Sequence, residues 1–184
     1  MEIFMNYYLV ALLDEDSYSE IESLQKNISK KYRIYKELPK LHITLEAIKD
    51  PDIEMLSKTV NDIIGKYKKF KAEVNGTVCF QPPYKSVNLL VEKKGYIGRL
   101  SRVINEKLRN QGFQVRNSEE NWDLHISLAN TNFAKKEWSV EEYSVACERS
   151  IKEDYHRMIR IEKIEIWKPI NVRKDMIIKS YELK

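Results

Sequence analysis

Apolar and polar positions follow one another along the chain in an order that repeats. Residues 3–13 form an apolar run, interrupted only by Asn6, that reads as a first, buried strand. Behind Ser17 and Glu20, a capping-box pair, Tyr18, Ile21, Leu24 and Ile28 recur at helical spacing, so residues 17–31 predict an amphipathic helix. Residues 41–46 alternate and predict a short strand. Asp50 and Pro51 read as an N-cap with proline at the first helical position, and Ile53, Leu56, Val60 and Ile63 carry a helical stripe to about Tyr67. Phe70, Ala72 and Val74 alternate with polar residues in a strand that reaches Phe80.

The strongest turn signal of the chain follows, Gln81-Pro82-Pro83-Tyr84. After it the order begins again. Residues 86–92 predict a strand, and Ile97, Leu100, Ile104 and Leu108 a helix ending near Gly112. A short strand is expected over 113–116 and another over 123–129. Ser139 and Glu142 form a second capping box, opening a helix to about Ile151. Ile159, Ile161, Ile164 and Ile166 predict one strand or two, and the last strand falls near 176–181.

The chain is thus two copies of one theme: strand, helix, strand with a histidine, helix, strand. Its 184 residues suit one domain. Neither half carries enough apolar residues for a core of its own. The expected fold is α+β, a single domain over 1–184 of two interlocked lobes, approximately 1–80 and 85–184, related by a pseudo-two-fold repeat.

Charge narrows the partners. A net charge of +4 permits an anionic substrate but does not call for duplex DNA, which is met by a concentrated basic face. The lysine-rich stretches at 29–31 and 66–71 read as solvated surface and helix ends. Cys79 and Cys147 belong to no spacing motif and read as buried thiols in a reducing, cytoplasmic compartment; a disulfide between them stays open, with nothing in the spacing to support it. The run 3–13 follows Glu2 rather than a basic segment and is too short to span a bilayer, so no membrane association is expected. A monomer is expected.

The chemistry resides in a string that occurs twice. Residues 41–45 are Leu-His-Ile-Thr-Leu and residues 124–128 are Leu-His-Ile-Ser-Leu. On a strand, successive side chains point to opposite faces. Leu41, Ile43 and Leu45 then face a core while His42 and Thr44 share the other side; Leu124, Ile126 and Leu128 do the same for His125 and Ser127. No packing requirement asks for an imidazole and a hydroxyl at the same two places twice. Two such pairs facing each other suit phosphoryl chemistry. One neutral histidine takes a proton from the attacking oxygen, and the other, protonated, gives one to the leaving oxygen. The Thr44 and Ser127 hydroxyls can donate to the non-bridging oxygens. No metal or cofactor is needed for these steps, and no metal-ligand spacing occurs in the sequence.

The paired strings resemble the signature of the two-histidine (2H) phosphoesterase superfamily, also called LigT-like, which includes RNA 2',3'-cyclic phosphodiesterases and proteins named 2'-5' RNA ligases. The resemblance implies antiparallel sheets lining a central cleft with helices outside, no metal, and site roles for His42, Thr44, His125 and Ser127. It points to a phosphoric diester hydrolase acting on a 2',3'-cyclic phosphate or a short phosphodiester of a nucleotide or RNA end. End joining of the 2'-5' ligase type and a non-enzymatic nucleotide- or RNA-binding module are the alternatives; the same acid–base pair would serve ligation.

Other residues are weaker candidates. Lys40 and Glu46 are expected on the His42 face, and Asp123 on the His125 face, placed to orient it. Phe80, Tyr84 and Trp122 are candidates for stacking a base, and Lys85, Arg116 and Lys168 for meeting a phosphate. His156, with no hydroxyl two residues on, reads as surface.

Overall fold

A computed structural model describes residues 5–82, 84–117, 122–131, 134, 137–169 and 173–184. The first residues of the expected N-terminal strand and Pro83 of the turn lie outside the described residues. The elements run β1 (Asn6–Leu13), α1 (Glu15–Tyr32), β2 (Ile43–Lys49), α2 (Ile53–Ile64), β3 (Phe70–Phe80), β4 (Ser86–Val91), α3 (Gly95–Asn110), β5 (Leu124–Ala129), α4 (Val140–Glu153), β6 (His156–Trp167), α5 (Arg173–Met176) and β7 (Ile177–Glu182). The α+β class is as expected.

Among the described residues, all strands belong to one seven-stranded antiparallel sheet in the order β1-β2-β5-β4-β3-β6-β7, with β1 also paired to β6. The extra pairing closes six strands into a ring. The twelve-residue β6 makes this possible: residues 156–161 pair with β3, while its C-terminal part lies between β1 and β7. One group of strands (β7, the end of β6, β1 and β2) therefore passes into the other (the start of β6, β3, β4 and β5) through a shared strand. Opposite that seam, β2 meets β5 at a single register pair among the described residues, Ile43 with Ile126.

The apolar strand faces and helices α1 to α3 contribute to one continuous core, including Leu9, Ile43, Leu89, Ile126, Ile161 and Ile164, all 0–1 % exposed. A second cluster, around Trp138, Tyr143 and Val87, seats α4 against β3 and β4. Cys79 and Cys147 join β3 to α4 in a disulfide. This corrects the reading of two free thiols. Sequence spacing holds no sign of it, because 68 residues separate cysteines that only the packing of α4 on β3 brings together.

Several local expectations shift. The cap of α1 is Asp14, whose carboxylate accepts from Ser17 N–H, and Ser17's hydroxyl instead accepts from Arg160 N–H. The cap of α2 is Asp52 rather than Asp50; Asp50 turns with φ +40° and takes the Met5 N–H. Each aspartate satisfies an orphan backbone donor, and tertiary contacts decide which donor. The Ser139–Glu142 capping box of α4 forms as expected. Residues 113–116 form no strand, only one bridge from Gln114 to Lys49.

Candidate active site

Register decides the geometry of the site. Leu41, Ile43 and Leu45 are 0–1 % exposed and Leu124, Ile126 and Leu128 0–2 %, so both strings bury their apolar residues in the common core. His42, Thr44, His125 and Ser127 are half-buried on the opposite face. Because β2 and β5 are antiparallel and Ile43 stands opposite Ile126, one step along the register sets His42 beside Ser127 and one step the other way sets Thr44 beside His125. The four side chains form a two-by-two array with the histidines on its diagonal. In a regular antiparallel pair such diagonal neighbours lie about 7–8 Å apart.

Each imidazole is held the same way. His42 Nδ1–H donates to the Lys40 carbonyl (2.8 Å) and His125 Nδ1–H to the Asp123 carbonyl (3.0 Å). A carbonyl only accepts, so this bond places the neutral-form proton on Nδ1 and leaves Nε2 as the titrating nitrogen in both. Asp123 does orient His125, but through its backbone; its carboxylate is exposed.

An aromatic ring flanks each histidine. Trp167, at the end of β6, lies 4.5 Å from His42 between ring centroids, and Phe80, at the end of β3, meets His125 edge-on at 4.9 Å. Trp167 belongs to a small apolar cluster with Val10 and Leu12, on the strand faces turned away from the main core. This apolar bed opposes a charge on His42. Burial pushes its pKa down to about 4, the Lys40 carbonyl lifts it, and the charges of His125 and Lys40 lower it. His125 is also lowered by burial, with the Asp123 carbonyl and carboxylate acting the other way. Trp167 escaped the sequence reading; its place after an alternating isoleucine run was the available signal.

Lys40 stands over the Trp167 ring (5.9 Å) and 3.6 Å from Glu165, a buried carboxylate that also accepts from Trp167 Nε1–H and the Ser180 hydroxyl. Ser127 Oγ is buried and, among the described residues, has no hydrogen-bond partner. Asn88, fully buried on β4 opposite Ser127, donates through its amide to the Val78 and Ser86 carbonyls.

Glu46 is a correction. A bulge between β1 and β2 at Leu45 breaks the alternation. Glu46 therefore leaves the His42 face and is fully buried against Asn105 of α3 (2.7 Å) and Arg116 (2.8 Å). Arg116 is committed to that pair and to stacking over Trp122 at 3.9 Å. Lys85 is buried, donating to the Trp138 carbonyl and paired with Glu137. Neither cation is free for a substrate phosphate. Tyr84 is exposed, while Lys168 is half-buried. His156 is on the surface, bonded to Asp154 at 2.7 Å. Among the described residues, no three His, Cys, Asp or Glu side chains gather to hold a metal ion, and no helix is long and apolar enough to cross a membrane.

The sequence profile described as the AKAP7 2'5' RNA ligase-like domain matches residues 5–175. The chain belongs to this family, within the 2H phosphoesterase superfamily. Solved structures share the fold. LigT of E. coli complexed with 3'-AMP is 12% identical, with 99% of each chain covered and a TM-score of 0.63. TT0787 of Thermus thermophilus is 15% identical over 97% of this chain and 98% of its own, with a TM-score of 0.66. A protein described as a phosphoesterase is 12% identical over 98% of both chains, with a TM-score of 0.65. Among curated protein sequences, none matches the chain.

Proposed function

We propose that the protein is a metal-independent phosphoric diester hydrolase that opens a 2',3'-cyclic phosphate, or cleaves a short phosphodiester, on a nucleotide or RNA end. The observation that carries this reading is the array set by the Ile43–Ile126 register: two imidazoles on one diagonal, two hydroxyls on the other, all on one face.

In this mechanism the phosphorus sits over the array. One neutral histidine accepts a proton at Nε2 from the attacking water, and the other delivers a proton from Nε2 to the leaving ribose oxygen. The Nδ1–H bonds to the Lys40 and Asp123 carbonyls hold both rings in the tautomer this requires. The Thr44 and Ser127 hydroxyls donate to the non-bridging oxygens, where charge is stabilised in the transition state. An anionic substrate raises the pKa of both imidazoles, restoring a proton that burial disfavours in the free protein.

Likeness to LigT, solved with 3'-AMP, supports a nucleotide-sized ligand. Product analysis on a panel of 2',3'-cyclic nucleotides, 2',5'-oligoadenylate and cyclic-phosphate-ended RNA tests the proposal. Metal-independent release of a ring-opened monoester supports it. Turnover lost on EDTA treatment and restored by a divalent cation would overturn the mechanism.

A further inference from the structure

Glu165 lies in the isoleucine run of β6, on the strand face turned away from the main core, where a carboxylate is ordinarily solvated. It is nevertheless 3 % exposed. Its surroundings there are apolar. Val10 is its register partner on β1, and Trp167 follows two residues on; both belong to the small cluster with Leu12. Packing alone asks for an aliphatic side chain at such a place, because an ionised carboxylate is costly to take out of water. Three donors offset that cost: Trp167 Nε1–H at 2.7 Å, the Ser180 hydroxyl at 3.3 Å, and the Lys40 ammonium at 3.6 Å.

Two of these three donors belong to residues that touch His42. Trp167 presents its ring to the imidazole, and Lys40 supplies the carbonyl that accepts from Nδ1–H. Sheet pairing does not fix either contact. The β1–β2 ladder ends at Ala11 and Ile43, so Lys40 and His42 precede the paired residues. Tyr18 and Gln25 of α1 hold the flanking Leu41 N–H and Pro39 carbonyl, while the Lys40 side chain meets Glu165 and the face of Trp167. Pairing places the Trp167 backbone but leaves its ring free to rotate until the indole N–H finds an acceptor. Phe80, the ring against His125, has no such handle.

Resting on the function proposed above, we infer that Glu165 is a positioning residue for His42: one buried carboxylate fixes both the Trp167 ring packed on the imidazole and the Lys40 residue that holds its Nδ1, and so sets the direction of Nε2. Acid–base groups lose rate steeply with small displacements, which gives a buried carboxylate at this place a use that packing does not.

The test uses Glu165→Leu, close in size and unable to accept a hydrogen bond, and Trp167→Phe, which keeps a ring and removes the donor. Tyr181→Phe is the control, since it removes a bond of similar length, from the Tyr181 hydroxyl to the Ser57 carbonyl, elsewhere on β7. Heteronuclear NMR spectra of the substrate-free protein report the His42 tautomer and the Trp167 indole N–H, the latter identified by its loss in Trp167→Phe. In wild type the neutral-form proton of His42 should sit on Nδ1 and the indole N–H should exchange slowly. Glu165→Leu should mix the tautomers and speed that exchange. In both variants kcat on 2',3'-cyclic AMP should fall on the order of tenfold with KM little changed. The double variant should lose little more than either single one, because the two side chains act as one unit. Tyr181→Phe should lower Tm and leave the spectra and kcat as in wild type. A wild-type tautomer and kcat in Glu165→Leu would overturn the positioning role, as would an equal loss of kcat in Tyr181→Phe. Should Glu165→Leu not fold, wild-type kcat and tautomer in Trp167→Phe would overturn it instead. A tautomer shift in Glu165→Leu with no turnover by the wild type would leave the hold on His42 standing and sink the hydrolase reading. Wild-type turnover that Glu165→Leu leaves unaltered would do the reverse.

Discussion

Ile43 and Ile126 stand opposite each other across the only register pair joining β2 to β5 among the described residues. Both are fully buried, and their backbone pairing aligns the histidines and hydroxyls on the other face. Changing either isoleucine to a smaller apolar residue leaves the chemistry of the array intact but loosens its alignment. Ile126→Val should cost about 0.5–1.5 kcal/mol of stability and lower kcat on 2',3'-cyclic nucleotides more than it raises KM. Urea unfolding and steady-state kinetics together check this, and an unchanged kcat would refute the aligning role.

Removing either imidazole should abolish most turnover without unfolding the protein. His42→Ala and His125→Ala should each lower kcat by roughly 10²–10⁴-fold, the range for a positioned acid or base. Thr44→Ala and Ser127→Ala should cost less, and His156→Ala nothing, since its ring meets only Asp154 at the surface. Circular dichroism controls for folding. Wild-type turnover in either of the first two variants would remove that histidine from the mechanism.

Both imidazole pKa values lie below the usual histidine value in the free protein, His42 at about 4. The kcat/KM profile reports the free enzyme, so its limbs should both fall below about pH 6.5. The kcat profile reports the bound state, and its bell should lie at higher pH, because the substrate anion favours the charged imidazole. Coincident profiles would contradict the electrostatic picture.

The same burial has a sign in folding. An unfolded chain binds a proton at His42 more readily than the folded one, so this contribution to stability is complete above about pH 6.5 and is lost as pH falls through about 4. The loss amounts to at most about 3.5 kcal/mol, at roughly 1.4 per pKa unit. His42→Gln should flatten the fall in unfolding free energy between pH 7 and pH 4; an unaltered slope would show that His42 titrates normally.

The Cys79–Cys147 disulfide closes a long loop and ties β3 to α4. Reduction, or Cys147→Ser, should lower stability by about 2–4 kcal/mol, seen as a lower Tm. Intact mass before and after reduction under denaturing conditions should differ by two hydrogen atoms. A native mass already matching two thiols would show that the bond does not form.

Sequence alone determined most of the elements and which side chains of each strand share a face. Helical and alternating periodicity placed four main helices and seven strands to within a few residues, because burying one face of each is a local demand written in side-chain order, and it added a strand over 113–116 that does not form. The duplicated strings at 41–45 and 124–128 named the four array residues for the same reason: alternation fixes which side chains share a face. Tertiary structure decided everything that depends on pairing at a distance. Closure of the ring by β6, the Ile43–Ile126 register, the Cys79–Cys147 bond and the rings of Trp167 and Phe80 against the histidines each join segments far apart in the chain. Glu46 marks the boundary. Alternation put it with His42, but a one-residue bulge, invisible to periodicity, turned it into the core to meet Arg116.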